Sequence, residues 1–162
     1  MYQWLVFLHI LSAFAFFMAH GVSAFMAFRL KRETNPDRMR TILDLSNFAL
    51  PVMYSALMVL VLAGIGAGIM GNWFKMGWIW AAIGLLVVLW IGMWFYAARF
   101  YAPVRKALGM PYRAYRGDEE PVAQASTAEI TAAVQATNPV LLGGVSFALI
   151  AVILWLMMFK PF

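Results

Sequence analysis

The sequence predicts an all-α integral membrane protein: a four-helix bundle with both termini extracytoplasmic. Composition, four long apolar runs and a one-sided distribution of cations predict it. Of the 162 residues, 64% are hydrophobic and only 12% are charged, and the mean hydropathy is +0.80. Soluble domains average about 45–50% apolar and about 25% charged. A soluble chain of this length could not hide so much apolar surface, because surface grows too fast relative to volume. The same composition excludes a disordered chain.

A bilayer core of about 30 Å needs roughly 20 apolar residues of helix. Four stretches meet that length, at about 4–28, 48–70, 76–101 and 139–159. Backbone groups in hydrocarbon must bond within their own segment, so each run is expected to be helical. The start, Met1-Tyr2-Gln3-Trp4, has no basic region ahead of the first run, so that run is expected to be a retained span and not a cleaved signal. The whole chain, 1–162, then reads as one transmembrane domain with cytoplasmic loops over 29–47 and 102–138.

Orientation follows from Lys and Arg. Arg29, Lys31, Arg32, Arg38 and Arg40 follow the first span, and Arg99, Arg105, Lys106, Arg113 and Arg116 close or follow the third. The other side holds Lys75 and Lys160. This bias places the two basic loops in the cytoplasm of a multi-pass protein of the cell (inner) membrane. The net charge of +5 is then topological, and anionic lipid headgroups are the expected partners of the loops in place of nucleic acid. Tyr2, Trp4, Trp73, Trp78, Tyr101 and Trp155 fall where the spans should meet water, as interfacial aromatics do.

The loops carry helix signals of their own. Asn35-Pro36 is an N-cap followed by Pro at the first helical position. Met39, Ile42, Leu43 and Ser46 then share a face, which predicts an amphipathic helix running into the second span with a bend near Pro51. The second loop begins with Pro103 and Pro111 and has a polar tip over Arg116–Glu120. Ser126-Thr127-Ala128-Glu129 is a capping-box pattern and predicts a surface helix over about Thr127–Ala136. Asn138-Pro139 starts the fourth span by the same cap logic. Ala15, Ala19, Ser23 and Ala27 form a small-residue seam, and Ala63–Gly68 is nearly smooth; such seams let helices approach closely, and a smooth end could also take the flat face of a cofactor.

Embedded ionisable residues are costly, so each marks a candidate site. The spans hold no Asp or Glu, and Arg99 sits at a span end where it can reach water. That leaves His9 and His20. Eleven residues are about three turns plus 20°, so both imidazoles share a face, about 16 Å apart along the axis, with Phe16 between them. They cannot clamp one haem or chelate one metal. Each could simply bond a backbone carbonyl or a nearby Tyr54, Ser55 or Tyr96. Alternatively, a neutral imidazole could bind haem iron or another metal. No catalytic group is identifiable, and proton or cation transport is disfavoured by the lack of embedded carboxylates. The chain has no cysteine, which removes thiolate sites and covalent haem, and 12 methionines, which leave copper(I) handling as a third reading.

The segment Trp4-Leu5-Val6-Phe7-Leu8-His9-Ile10-Leu11 resembles the opening of membrane proteins of the HemJ and CopD group. That group takes in HemJ-type protoporphyrinogen oxidases, copper-resistance D proteins and uncharacterised integral-membrane relatives. Arg38-Met39-Arg40 to Leu43, then Pro51, then Leu62-Ala63-Gly64, is similar to the lead-in, Pro and Gly of the group's second span. Lys160-Pro161-Phe162 is similar to the C-terminal Lys-Pro-Phe of the HemJ type. The resemblance implies that His9 matches the histidine held to be an axial ligand of haem b; it gives His20 no counterpart. Lys75-Met76-Gly77 stands only loosely where the HemJ type has a functional Lys, and Tyr96-Ala97 stands in place of its Tyr-His. These departures point to the uncharacterised branch and away from the oxidase. The expected function is thus a haem-b-binding or redox-associated membrane protein, with His9 the first candidate ligand and His20 the second, either alone or as a homodimer. The alternative is an accessory subunit of a larger membrane complex, docking through the small-residue seam and the Gly-rich end of the second span.

Overall fold

The computed structural model describes residues 1–114, 117–119 and 123–162, with backbone alone for 113, 114 and 117–119. In chain order it contains α1 (Tyr2–Leu30), α2 (Pro36–Met70), a 3₁₀ turn at Trp73–Lys75, α3 (Gly77–Tyr96), a π-helical segment at Ala97–Tyr101, and α4 (Ala102–Ala107). A small hairpin, β1 (Tyr112–Ala114) and β2 (Gly117–Glu119), then α5 (Thr127–Ala136) and α6 (Pro139–Phe159), complete it. Among the described residues, four helical stretches are long and apolar enough to cross a bilayer: Tyr2–Leu30, Pro36–Met70, Gly77–Ala107 and Thr127–Phe159. The bundle is two pairs, α1 along α2 and α3 along α6, joined where α1 meets α6.

The helix starts form for the reasons their sequences suggest. Asn35 Oδ1 accepts from the N–H groups of Asp37 and Arg38. Ser126 and Glu129 complete the reciprocal capping box of α5. Asn138 Oδ1 accepts from Leu141 N–H at 3.0 Å. The amphipathic lead-in and the second span are one helix of 35 residues, with Pro51 inside it. At 1.5 Å per residue it is about 52 Å long, more than the hydrocarbon needs, so its first turns stand in the interface.

The third span departs from the expected plain helix. Pro103 cannot donate to the carbonyl four residues back, and its ring crowds that carbonyl. The wider turn at Ala97–Tyr101 lies where that carbonyl falls, and π turns relieve such conflicts without exposing the backbone. The hairpin, with Arg113 opposite Asp118 in register, also goes beyond the expected loop. Of the polar tip over Arg116–Glu120, Arg116 and Glu120 lie outside the described residues.

Both chain ends meet the α2–α3 turn at one end of the bundle. The Tyr2 ring packs edge-on against Trp73 at 5.8 Å. Lys160 Nζ lies 4.3 Å from the centre of the Trp73 ring. Trp78 N–H donates to the Phe162 carbonyl at 3.2 Å. At the other end Leu30, Met39, Leu43, Val104, Leu108 and Ile130 form a closed apolar core under α5. Between the two ends, Phe16, Ala19, Met53 and Ala56 make the mid-bundle contact. Large apolar side chains such as Trp4, Met18 and Phe25 stay exposed around the spans, as a lipid-facing surface requires.

Candidate functional site: two embedded histidines

His9 sits in the α1–α2 contact. Its Nδ1 is 2.8 Å from the Leu60 carbonyl oxygen. A carbonyl only accepts, so Nδ1 must carry the proton, and in the neutral ring Nε2 then holds the lone pair. The approach depends on Gly64, one turn further along α2. A Cβ there would lie 2.9 Å from both Cε1 and Nδ1 of His9. Three residues along α1, Ser12 Oγ donates to the Leu8 carbonyl at 2.6 Å and is 3.1 Å from that of His9, so the serine spends its donor locally.

His20 is in a different setting. It is 4% exposed. Its ring lies nearly parallel to Phe16 (7° between planes, centroids 6.1 Å apart). Phe147 of α6 meets it edge-on at 5.7 Å. Neither His20 nitrogen has a hydrogen-bond partner among the described residues, and neither does the buried Ser23 Oγ one turn along. The two histidines are thus stacked along α1 but face different helices, because α1 lies against both α2 and α6. The expected side-chain partners do not serve them: Tyr54 and Ser55 are exposed, and Tyr96 Oη accepts the backbone N–H of Asn138.

The small-residue surfaces are helix contacts. Ala19 and Ala27 on α1 and Ala56, Ala63 and Ala67 on α2 are buried. The Gly-rich end of α2 is covered by this chain's own side chains: Leu5 lies over Gly66, His9 over Gly64 and Phe74 over Gly68. The glycine positions are thus taken up by contacts within the chain, while Leu62, Ile65, Ile69 and Met70 of the same end stay exposed. An apolar groove of about 490 Å³ does run along α1 and α2, lined by Leu8, Leu11, Ala15, Pro51, Val52 and Val59 among others. It begins beside His9 in the chain, but the His9 ring does not line it. No group of three or more His, Cys, Asp or Glu side chains gathers as a metal site among the described residues.

Several cations that the sequence assigns to lipid are engaged with protein. Lys31 Nζ donates to the carbonyls of Gln135 at 2.7 Å and Thr137 at 2.6 Å, with Val134 at 3.4 Å, which closes the C-terminal end of α5. Arg40 Nε donates to the Leu108 carbonyl at 3.0 Å. Arg105 Nε donates to the Pro111 carbonyl at 2.7 Å and its guanidinium lies 3.7 Å from Asp44. In the α1–α2 loop, Glu33 accepts from the backbone N–H groups of Thr34 and Asn35. Those two bonds, the Thr34 one foremost, hold its carboxyl below the usual carboxylate range, helped by Arg29.

No family model matches the chain, and neither a curated protein nor a solved structure matches it. The chain is a polytopic membrane protein by its own four apolar helices, and the two imidazoles are the histidine side chains embedded in the first of them.

Proposed function

We propose that this membrane protein binds haem b and takes part in redox chemistry, with His9 as the iron ligand. The observation that carries the reading is the His9 Nδ1–Leu60 carbonyl bond of 2.8 Å. Metal-ligating histidines commonly give the N–H of one nitrogen to a carbonyl, which fixes the tautomer, orients the ring and makes the other nitrogen more basic. His9 is held in that way, and Gly64 sets its distance from α2. The resemblance of Trp4–Leu11 to the HemJ and CopD group supports the same residue. Bound haem would supply one-electron chemistry. The chain's own part is to present Nε2 unprotonated and to keep the imidazole among apolar helices. His20 is about 16 Å further along α1, so it is no second ligand for the same iron.

The test is an absorption spectrum of the purified protein in mild detergent, oxidised and then dithionite-reduced, after expression with haem precursor supplied. The expected result is a Soret band with sharpened reduced bands, lost in His9→Ala while membrane insertion persists. A colourless wild-type protein, or a His9→Ala variant with its full haem complement, overturns the assignment.

A further inference from the structure

Haem ligation by His9 leaves His20 unexplained. A neutral imidazole carries one donor and one acceptor, and in hydrocarbon no water serves them. Among the described residues neither has a partner, and His20 is 4% exposed. Ser23 Oγ, three residues on and so on a neighbouring part of the same helix face, is buried and unpartnered too. The polar groups are walled by aromatic rings: Phe16 parallel to the imidazole on α1 and Phe147 edge-on from α6. Phe147 is itself 48% exposed, so the ring that meets His20 from α6 is half open to the surroundings. Gly21, next to His20, and Gly144, one turn before Phe147, each face open space where a Cβ would project.

A ligand for these groups must arrive through lipid, so it is apolar and uncharged. It must present a flat ring to the aromatic walls. It must carry an oxygen that accepts from an imidazole N–H or a serine hydroxyl, and in its reduced form donates to the imidazole lone pair. A quinone head group has all three properties. We propose that His20 and Ser23 form the head-group site of a membrane-dissolved quinone, with Phe147 as its movable cover. The site deepens the redox reading by naming the class of partner, yet it stands on groups separate from His9.

The experiment is photolabelling of the full chain in lipid nanodiscs with an azidoquinone, with mapping of the labelled peptides and competition by decylubiquinone. Label is expected on the stretches around 16–25 and 140–150 and is suppressed by excess decylubiquinone. His20→Phe should lower the competable label about tenfold, the effect of one hydrogen bond to a buried group. Ser23→Ala should lower it by less. Phe147→Trp should lower it and Phe147→Ala should preserve or raise it. Where His20→Phe does not fold, the Ser23 and Phe147 variants decide. Labelling that excess decylubiquinone leaves unchanged, or that is indifferent to all of these substitutions, overturns the proposal. The haem spectrum of the same samples separates the two readings: competable label in a colourless protein sinks the haem assignment alone, and haem without competable label sinks the quinone site alone.

Discussion

Replacing Gly64 by Ala puts a methyl carbon 2.9 Å from two atoms of the His9 ring, where contact distances between carbons are about 3.5–4.0 Å. The ring has little room to yield, because Nδ1 is tied to the Leu60 carbonyl at 2.8 Å. Either the ring turns and loses that bond, or α1 and α2 separate by several tenths of an ångström. Overpacking of this kind costs about 1–3 kcal/mol. A hydrogen bond lost inside a membrane adds about 0.6–1 kcal/mol. Against this, Ala is a better helix former than Gly by about 0.8–1.0 kcal/mol. The net expectation is destabilisation by about 2 kcal/mol, read from unfolding in dodecyl sulfate followed by far-ultraviolet circular dichroism. The decisive comparison is the double variant. With His9→Ala in place the clash and the bond are both gone, and Gly64→Ala should become neutral or stabilising, a coupling of about 3 kcal/mol. A Gly64→Ala penalty that is the same with and without His9 would refute the reasoning.

Other substitutions probe the loop end of the bundle. Lys31→Met keeps the stem but removes the ammonium that closes α5; bonds from a charged donor are worth about 1.5–3 kcal/mol, so amide exchange over 130–137 should quicken at least about tenfold, and unchanged rates count against the contact. Tyr96→Phe leaves the Asn138 N–H without its acceptor and should cost about 1 kcal/mol in the same unfolding assay. Glu33 has a folded-state pKa below its ordinary value of 4.5, first through the Thr34 N–H. Its contribution is therefore present above that ordinary value and is lost as pH falls through the lower folded one. Wild type and Glu33→Gln should differ at neutral pH and converge in acid; a gap that persists to low pH would show that the carboxylate is not responsible.

The parts of this fold that rest on local chemistry could be read along the chain. The caps at Asn35, Ser126 and Asn138 depend on residues three or four apart, and they form as expected. The apolar stripe Met39, Ile42, Leu43 is buried because its period is set by the helix itself. What could not be read depends on partners distant in sequence. Lys31 finds carbonyls more than a hundred residues away, and nothing local to an Arg- and Lys-rich loop distinguishes a cation that closes a helix from one that faces lipid. The π turn depends on Pro103 acting on a helix already committed to hydrocarbon, although a Pro just past an apolar run was the available signal. His9 and His20 look alike in the sequence; only the arrival of α2 at one and α6 at the other makes the first bonded and the second orphaned.

The Lys31 contact also bears on the order in which the protein is made. Its acceptors at Gln135 and Thr137 leave the ribosome roughly a hundred residues after Lys31 does. At about 5–20 residues per second, the C-terminal end of α1 waits on the order of 5–20 s before its ammonium has these carbonyls to hold. During that interval the charge has only water to satisfy it, because a buried and unpaired ammonium is costly. Once α5 emerges, the same ammonium becomes the fastening that closes the loop end of the bundle.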